Sequence, residues 1–236
     1  MNPQAADYAS HEEIYVKLRG VGADGWSSKT DYEEMLSHII PALSAPQIPT
    51  SAELLELGSG AGNLSMALAE RGFGVTGVEI SPTAVEWSRE RLAGRRLRVS
   101  YRVDDVVSLE SCPDHSFDAV IDGHCLHCII GQDRQRCLAA VARVLKPDGI
   151  FVVLTMCGDV LSERTSSIFD PRTRTIVVNG RPTRYIGTAQ DILSEIEAAG
   201  FVIETARIAP RRERDEQDDL IVTARKPRDP VQPPST

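Results

Sequence analysis

The sequence predicts an α/β fold in which a mostly parallel sheet carries helices on both faces. Short apolar segments typical of buried strands alternate with helical segments between residues 52 and 155. A glycine-rich loop directly follows the first strand, and Glu79 lies near the end of the second. Strands that alternate with helices pair in parallel, because each return connection needs a crossover. Ligands bind at the carboxyl ends of such strands, so we expect the functional site there.

The individual elements follow from local signals along the chain. The first 50 residues predict a helical cap that includes an amphipathic helix over 31–43. Ser81 and Pro82 mark a helix start, since serine caps free N–H groups and proline fits the first helical position. The core is predicted to contain strands at 52–57, 74–80, 97–103, 117–122 and 148–155, and helices at 63–71, 82–93 and 132–145.

The second part of the chain predicts an insertion and a closing pair of strands. Residues 156–188 interrupt the alternation after the fifth strand, and Asn179-Gly180 within them favours a tight hairpin turn. The chain thus divides into a cap (1–50), a main domain (51–226) and a proline-rich tail (227–236) that we expect to be disordered. The elements predicted after the insertion are a helix at 189–199 and strands at 201–208 and 219–226.

Composition narrows the function classes. The 236 residues include 34 acidic and 26 basic side chains, which give a net charge of −8. A nucleic-acid partner is disfavoured, because such proteins normally present a basic surface. No apolar run approaches the ~20 residues that span a bilayer, and the N-terminus lacks the pattern of a secretory signal. We therefore expect a cytoplasmic protein without a nucleic-acid or membrane partner. A monomer or homodimer is also expected.

The loop from Gly58 to Gly62 is the most informative segment. Its spacing is E-x-G-x-G-x-G, which begins at Glu56. Glycine is needed where the chain turns left-handed or where a ligand lies against bare backbone, and the following helix directs free N–H groups at the loop. A dinucleotide fingerprint would need its third glycine at the position of Asn63. Glu79 is placed to accept the hydroxyls of a ribose, so an adenosine-type ligand is expected.

Further motifs follow the loop in order. They are Asp104-Asp105-Val106, Ser116-Phe117-Asp118-Ala119-Val120-Ile121, Leu126-His127 and the run from Arg143 to Ile150. With the loop, over about residues 50–155, they resemble the class I S-adenosylmethionine (SAM)-dependent methyltransferases, of the small-molecule type related to ubiquinone-biosynthesis enzymes. The resemblance implies a Rossmann-like seven-stranded sheet with an antiparallel last strand pair, SAM as cofactor and S-adenosylhomocysteine as product. Asp148 stands where the family usually has glycine, and Asp-Gly still favours a turn.

The resemblance also implies a set of cofactor-binding residues. The glycine-rich loop would face the methionine part of SAM, Glu79 its ribose, and Asp105 with Val106 its adenine. The end of the fourth strand would lie beside the transferred methyl group. The full predicted set is Glu56, Gly58, Ser59, Gly60, Gly62, Asn63, Glu79, Ile80, Asp105, Val106, Asp122 and Gly123.

Candidate residues for catalysis and acceptor binding lie in other segments. A general base is needed only if the acceptor atom is protonated at neutral pH, and His127, or failing it His124, follows the fourth strand where the acceptor should enter. Arginines in the insertion would suit a carboxylate or phosphate. The expected reaction is methyl transfer to an O, N or S atom of a small metabolite, and the arginines would suit an anionic one. The candidate substrate contacts are Tyr15, Trp26, Arg181 and Arg184.

Two other functions are compatible with the loop alone. One is a nicotinamide-dependent oxidoreductase, which the missing third glycine disfavours, and the other is a SAM-binding sensor without catalytic activity. Cys125 and Cys128 have the spacing of a zinc knuckle and lie among histidines. Structural zinc sites usually need a second, distant pair of ligands, and the sequence offers none. No metal site is therefore expected.

Overall fold

The chain folds into a seven-stranded sheet with helices on both faces, which confirms the predicted fold class. The computed structural model describes residues 6, 8, 10–46, 48–210 and 217–228. Within these residues a second sheet of three strands lies in the predicted insertion. The predicted tail from residue 229 onward lies outside the described residues, as does most of the charged loop before the last strand.

The main sheet has the strand order β3-β2-β1-β4-β5-β10-β9. Its first five strands are parallel, and β10 is antiparallel to both of its neighbours. The main-sheet strands are β1 Glu53–Leu57, β2 Gly74–Glu79, β3 Val99–Val103, β4 Phe117–Gly123, β5 Leu145–Cys157, β9 Val202–Ala209 and β10 Asp218–Arg225. The small sheet contains β6 Phe169–Asp170, β7 Thr175–Val178 and β8 Arg181–Tyr185.

Seven α-helices lie within the described residues. Ser28 and Asp31 form a capping box at the start of α2, and the Ser81 hydroxyl accepts from the N–H of Ala84 at the start of α4. The helices are α1 Ser10–Gly20, α2 Lys29–Leu43, α3 Asn63–Ala69, α4 Pro82–Leu92, α5 Gln132–Val144, α6 Glu163–Ser166 and α7 Ala189–Ala198, and a 3₁₀ turn spans Leu126–Cys128.

The central strand β1 explains why the sequence shows a continuous apolar run. Leu54 packs into one core layer and Leu55 into the other, because successive side chains of a strand point to opposite faces. Both are fully buried, as expected for a parallel strand covered on both sides. The chain leaves β1 for β2 and β3 and later returns to β4 and β5. The order therefore reverses between the carboxyl ends of β1 and β4, where ligands bind in this type of sheet.

Helix α1 is fastened over the carboxyl-end edge of the sheet by charged contacts with α4. The Arg19 guanidinium pairs with Glu86 (2.8 Å) and Glu90 (2.7 Å). The N–H of Thr83 donates to the carboxylate of Glu12 over 3.2 Å, which places a negative group at the N-terminus of α4, where the helix dipole favours it. The cap thus has a defined docking position above β1 and β2.

Two features differ from the sequence prediction. β5 begins at Leu145, three residues earlier than position 148, directly after α5. Within it Asp148 takes a left-handed φ of 62° and donates its N–H to the carbonyl of Lys226 (3.0 Å), so the predicted Asp-Gly turn is a bend inside the strand. In the insertion, α6 has four residues and β6 has two. Both elements are too short to produce a periodic pattern of apolar residues in the sequence.

Arg134 of α5 joins four elements although its side chain is only 4% exposed. It donates to the carbonyl oxygen of Leu126 (2.6 Å) and pairs with Glu195 of α7 (2.6 Å). Its guanidinium also stacks on the ring of Tyr185, 4.3 Å from the centroid. The contacts hold the turn after β4 against β8 and α7, so this arginine shapes the wall of the crevice.

We expect Arg134→Met to lower the free energy of unfolding by about 3 kcal/mol, because it leaves a carbonyl and a carboxylate without their buried partner. Urea unfolding followed by circular dichroism measures the loss. Arg136→Met is the matched control, since Arg136 is 66% exposed and pairs with Asp133 (3.0 Å) at the surface. Such a pair contributes at most about 1 kcal/mol. Equal losses in the two variants would contradict this prediction.

Candidate active site

A cavity with about 1060 Å³ of empty space opens at the carboxyl ends of β1, β2 and β4. Most of the predicted site residues line it, namely Tyr15, Trp26, Glu56, Gly58, Ser59, Gly60, Glu79, Ile80, Asp105, Val106, Gly123, His124, His127 and Arg184. We call it the first cavity.

The glycine-rich loop is held in place by Glu79 and covered by the cap. Gly58 and Gly60 have φ values of 62° and 50°, which glycine adopts at no steric cost. The N–H of Gly60 donates to Oε2 of Glu79 over 3.0 Å. A Cβ atom added to Gly60 would lie 2.4 Å from the hydroxyl oxygen of Tyr15. The bare backbone at this position is therefore required by a close contact with α1.

Gly62 and Asn63, which were also predicted to bind the cofactor, lie outside the lining of the first cavity. Gly62 is the N-cap of α3, and a Cβ atom on it would be 2.3 Å from the hydroxyl oxygen of Tyr101. The amide nitrogen of Asn63 donates to the carbonyl of Asp24 (3.0 Å), and its amide oxygen accepts from Arg91 (2.6 Å). The two residues shape the loop and tie it to the cap instead of facing the cavity.

Asp122 and Arg181 also lie outside this lining. Oδ1 of Asp122 accepts from the N–H groups of Cys125 (2.7 Å) and Leu126 (2.8 Å), so this carboxyl group builds the turn after β4. Burial raises its pKa to about 6, although the two N–H donors oppose the shift. Arg181 lies exposed at the start of β8. Neither side chain is positioned as a direct contact for a ligand in the first cavity.

Buried carboxyl groups make the first cavity suited to a cation. Burial raises the pKa of Glu56 to about 8, and the neighbouring Glu79 adds to the shift, while hydrogen bonds from Ser65 oppose it. Burial also raises the pKa of Glu79, against N–H donors that include those of Ser81 and Gly60. Asp105 adds a third carboxyl group to the lining. A positively charged ligand would compensate for the desolvation of these groups.

The two histidines after β4 differ in their surroundings. His127 is 4% exposed, and its Nδ1 has no hydrogen-bond partner among the described residues. Burial lowers its pKa well below the usual value, and the charges of His124 and Arg184 act in the same direction. The Nε2 atom of His124 lies 3.3 Å from Oδ2 of Asp219 on β10. Burial lowers the pKa of His124, but the hydrogen bond and charge of Asp219 outweigh it and raise the pKa.

A second cavity adjoins the first and was not predicted from the sequence. It holds about 1600 Å³ of empty space between α2, the insertion and the start of β10. Both cavities share five lining residues, which are Ser27, Met35, His124, Met156 and Arg184. Asp219 lines only the second cavity, and it comes near the site because β10 pairs with β5. His124 therefore lies at the boundary between two adjoining chambers.

The comparison with protein families assigns the fold and the site to a known group. The family described as "Methyltransferase domain" matches residues 55–153, which contain the glycine-rich loop and the end of β4. The matched domain and the relatives described next support a class I SAM-dependent methyltransferase. A nicotinamide-dependent oxidoreductase and a SAM-binding sensor are not favoured by these matches.

Relatives of this methyltransferase agree with that assignment. An uncharacterized methyltransferase of Schizosaccharomyces pombe is 29% identical over 77% of this chain and 72% of its own. A ubiquinone biosynthesis O-methyltransferase of Xanthomonas oryzae is 33% identical over 66% of this chain, and the match spans 65% of that relative. The crystal structure of 1,6-didemethyltoxoflavin-N1-methyltransferase of Burkholderia thailandensis has the same fold, with a TM-score of 0.69 and 22% identity over 93% of this chain and 87% of that one.

Two further observations concern the described part of this methyltransferase. No helix there is both long and apolar enough to cross a membrane. No group of three or more His, Cys, Asp or Glu side chains is placed there to hold a metal ion. Cys125 and Cys128 are unbridged thiols whose pKa values are raised by burial, which is typical of inert buried cysteines.

We expect SAM binding at neutral pH to release up to about one proton from Glu56. At pH values below its pKa of about 8 the carboxyl group is mostly neutral, and a nearby cation favours the charged form. Affinity should therefore rise as the pH increases toward that pKa. Titration calorimetry in buffers of different ionisation enthalpy measures the proton release.

Glu56→Gln should remove this proton release, whereas Glu53→Gln should retain it. Glu53 lies on the same strand, but it is exposed and pairs with Arg98 on the surface. Unchanged proton release in Glu56→Gln would show that another group titrates.

Proposed function

We propose that this methyltransferase moves the methyl group of SAM from the first cavity to an O, N or S atom of a small, anionic metabolite in the second. The observation that carries the proposal is that the two cavities meet at His124 and Met156, which line both of them. A methyl donor and its acceptor must approach in line, and their orientation alone is worth about 7–11 kcal/mol. Two chambers that meet at one boundary suit that requirement.

The residues of the first cavity suit SAM. Glu79 would accept the ribose hydroxyls, the loop from Gly58 to Gly60 would face the methionine part, and Asp105 with Val106 would hold the adenine. Glu56 and Glu79, both 4% exposed, suit a ligand with a net positive charge. Ser59 is also buried, and its hydroxyl oxygen has no partner among the described residues, so it is available to a ligand. When bound, SAM supplies a methyl group activated by its sulfonium.

The anionic character of the acceptor is inferred from Arg184. This half-buried side chain lines both cavities and lies over the ring of Trp26, 6.0 Å from its centroid. Among the described residues it has no carboxylate partner, so its five N–H donors are available to a carboxylate or phosphate. Apolar side chains complete the chamber and would hold the body of the acceptor, among them Leu154, Ile168, Ile176 and Ile186.

Water exclusion would come from the cap and the insertion. Tyr15 and Trp26 of the cap pack on each other with ring centroids 5.4 Å apart and cover the first cavity. Arg174 of the insertion donates to the carbonyl of Ile186 (2.7 Å) and keeps β8 against the second cavity. The Xanthomonas relative is a ubiquinone biosynthesis O-methyltransferase, and the Burkholderia structure is a 1,6-didemethyltoxoflavin-N1-methyltransferase. Both names support a small acceptor here.

The proposal is tested by measuring the formation of S-adenosylhomocysteine with a matched panel of acceptors. The panel contains aromatic hydroxyl, amine and thiol compounds, each with and without a carboxylate. We expect the carboxylates to be methylated and Arg184→Met to raise their KM by 10- to 100-fold, the equivalent of about 1.5–3 kcal/mol for a lost charged hydrogen bond. SAM affinity should stay unchanged.

Arg181→Met is the control for the panel, since Arg181 is exposed and lies three positions before Arg184, the residue of β8 that lines the cavities. Equal turnover of neutral and anionic members by the wild type would refute the anionic acceptor. Binding of SAM without turnover of any member would favour a sensor.

A further inference from the structure

The contact between His124 and Asp219 lies where the two cavities meet. The Nε2–Oδ2 distance is 3.3 Å, and the two side chains are 23% and 32% exposed. Asp219 reaches this position because β10 pairs with β5, with Asp219 opposite Met156 at the carboxyl end of β5. The pair is thus built from the ends of two strands that are almost 100 residues apart in sequence, and it faces the chamber assigned to the acceptor.

We propose that His124 removes the proton from a hydroxyl nucleophile of the acceptor and that Asp219 is the positioning residue that holds the ring for this step. The inference rests on the proposed function, because it names the reacting group of the same acceptor. It narrows the acceptor to a hydroxylated anion, such as an aromatic or aliphatic hydroxy acid, and assigns Asp219 a role that the sequence did not reveal.

The ring orientation leaves one nitrogen for the acceptor. Because Nε2 faces the carboxylate of Asp219, the neutral imidazole keeps its proton on Nε2, and we assign this tautomer from the geometry. The lone pair of Nδ1 is then available, and no described residue supplies it with a hydrogen-bond partner. A carboxylate on one nitrogen and a free lone pair on the other is the arrangement that activates a histidine as a general base.

The backbone presents the ring to the boundary of the cavities. His124 has a φ of 71°, which is uncommon for a residue with a side chain and is enriched at functional sites. Its N–H donates to the carbonyl of Leu154 on β5 over 3.0 Å, which extends the pairing of β4 with β5 by one residue. The sheet therefore fixes the backbone conformation of His124, and the left-handed φ directs its imidazole away from the line of β4.

The charges around His124 come from every element that packs against it. Three carboxyl groups raise its pKa and two cationic or titratable groups share its surroundings. In addition, His38 of α2 lines the second cavity. The carboxyl groups are those of Asp31 of α2, Asp122 of β4 and Asp219 of β10. The other two groups are His127, whose ring centroid lies 5.6 Å from that of His124, and Arg184 of β8.

His127 has the opposite surroundings, and it is less suited to hold a proton. Its buried ring has no carboxylate partner among the described residues, and the positive charges of His124, Arg184 and Arg134 oppose its protonation. A proton that arrives at this boundary therefore remains on His124. The geometry favours His124 over His127, which was the first candidate from the sequence.

The step balances without any further reactant. The hydroxyl proton passes to Nδ1 of His124 while the oxygen forms its bond to the methyl carbon. The bond between that carbon and the sulfonium sulfur breaks, and its electron pair stays on sulfur. The products are a methyl ether, a neutral thioether and an imidazolium paired with Asp219, which returns its proton to solvent through the second cavity.

An NMR titration of His124 in the full chain with bound S-adenosylhomocysteine tests the pair without an acceptor. Asp219→Asn should lower the pKa of His124 by about one unit, a tenfold change in its acid dissociation constant, and Asp219→Glu should restore most of it. Asp218→Asn, the neighbouring charge on β10, should leave the pKa unchanged. An unaltered pKa in Asp219→Asn would overturn the proposal.

A matched pair of acceptor probes tests the proton transfer itself. Meta-hydroxybenzoate needs a base, whereas meta-mercaptobenzoate is largely ionised at mildly alkaline pH and needs none. Asp219→Asn and His124→Gln should lower kcat for the hydroxyl probe by 10- to 100-fold or more, with little effect on the thiol probe or on the KM for SAM. An equal loss of kcat with both probes would mean that these two residues have only a structural role, and it would refute His124 as the general base.

Failure of the pair and failure of the proposed function have different signatures. If neither probe is methylated, the anionic aromatic acceptor is wrong, and the NMR titration alone decides whether Asp219 controls His124.

Discussion

The parallel pairing of β1 with β4 is the constraint on which the rest of the structure depends. The register joins Leu54 to Ala119 and Leu57 to Asp122, so both strands end at one edge. The glycine-rich loop leaves the first strand there, and the turn that carries the two histidines leaves the second. A shift by one residue would exchange the two faces of each strand and would move the loop away from that turn. Since burial of each large apolar side chain contributes about 1.5–3 kcal/mol, the core keeps the two halves of the site aligned.

That alignment brings buried carboxyl groups together, which costs stability when no ligand is present. Glu56 and Glu79 are both 4% exposed, and a buried carboxylate is unfavourable unless it is hydrogen-bonded or paired. The fold offsets part of this cost through the hydroxyl of Ser65 and the N–H groups of Gly60 and Ser81. The raised pKa of Glu56 shows that these contacts do not compensate fully. The remaining deficit favours a cation, so the same desolvation that weakens the free protein contributes to selection of its cofactor.

The strands, the loop and the sheet class could be predicted because their signals are local. These signals depend only on residues that are neighbours in sequence. They are the alternation of strand and helix segments, the spacing of the glycines and the helix start at Ser81-Pro82, and the structure contains all three. The prediction was less complete for residues whose surroundings depend on tertiary contacts. Gly62 fits the loop motif, yet the hydroxyl of Tyr101 occupies the space beside it, and no spacing rule reveals that contact. Asp219 could be placed near the site only once β10 was known to pair with β5 in its observed register.

The two histidines show how tertiary position overrides sequence similarity. His124 and His127 are three residues apart and follow the same strand, and the sequence argument placed His127 first. Burial alone would lower the pKa of each ring. Only His124 faces a carboxylate, because its left-handed backbone turns it toward β10, whereas His127 on the 3₁₀ turn faces the cavity without such a partner. Their pKa values therefore move in opposite directions. A pair of titratable groups separated in this way can direct a proton to one defined atom, which a pair of equivalent histidines could not do.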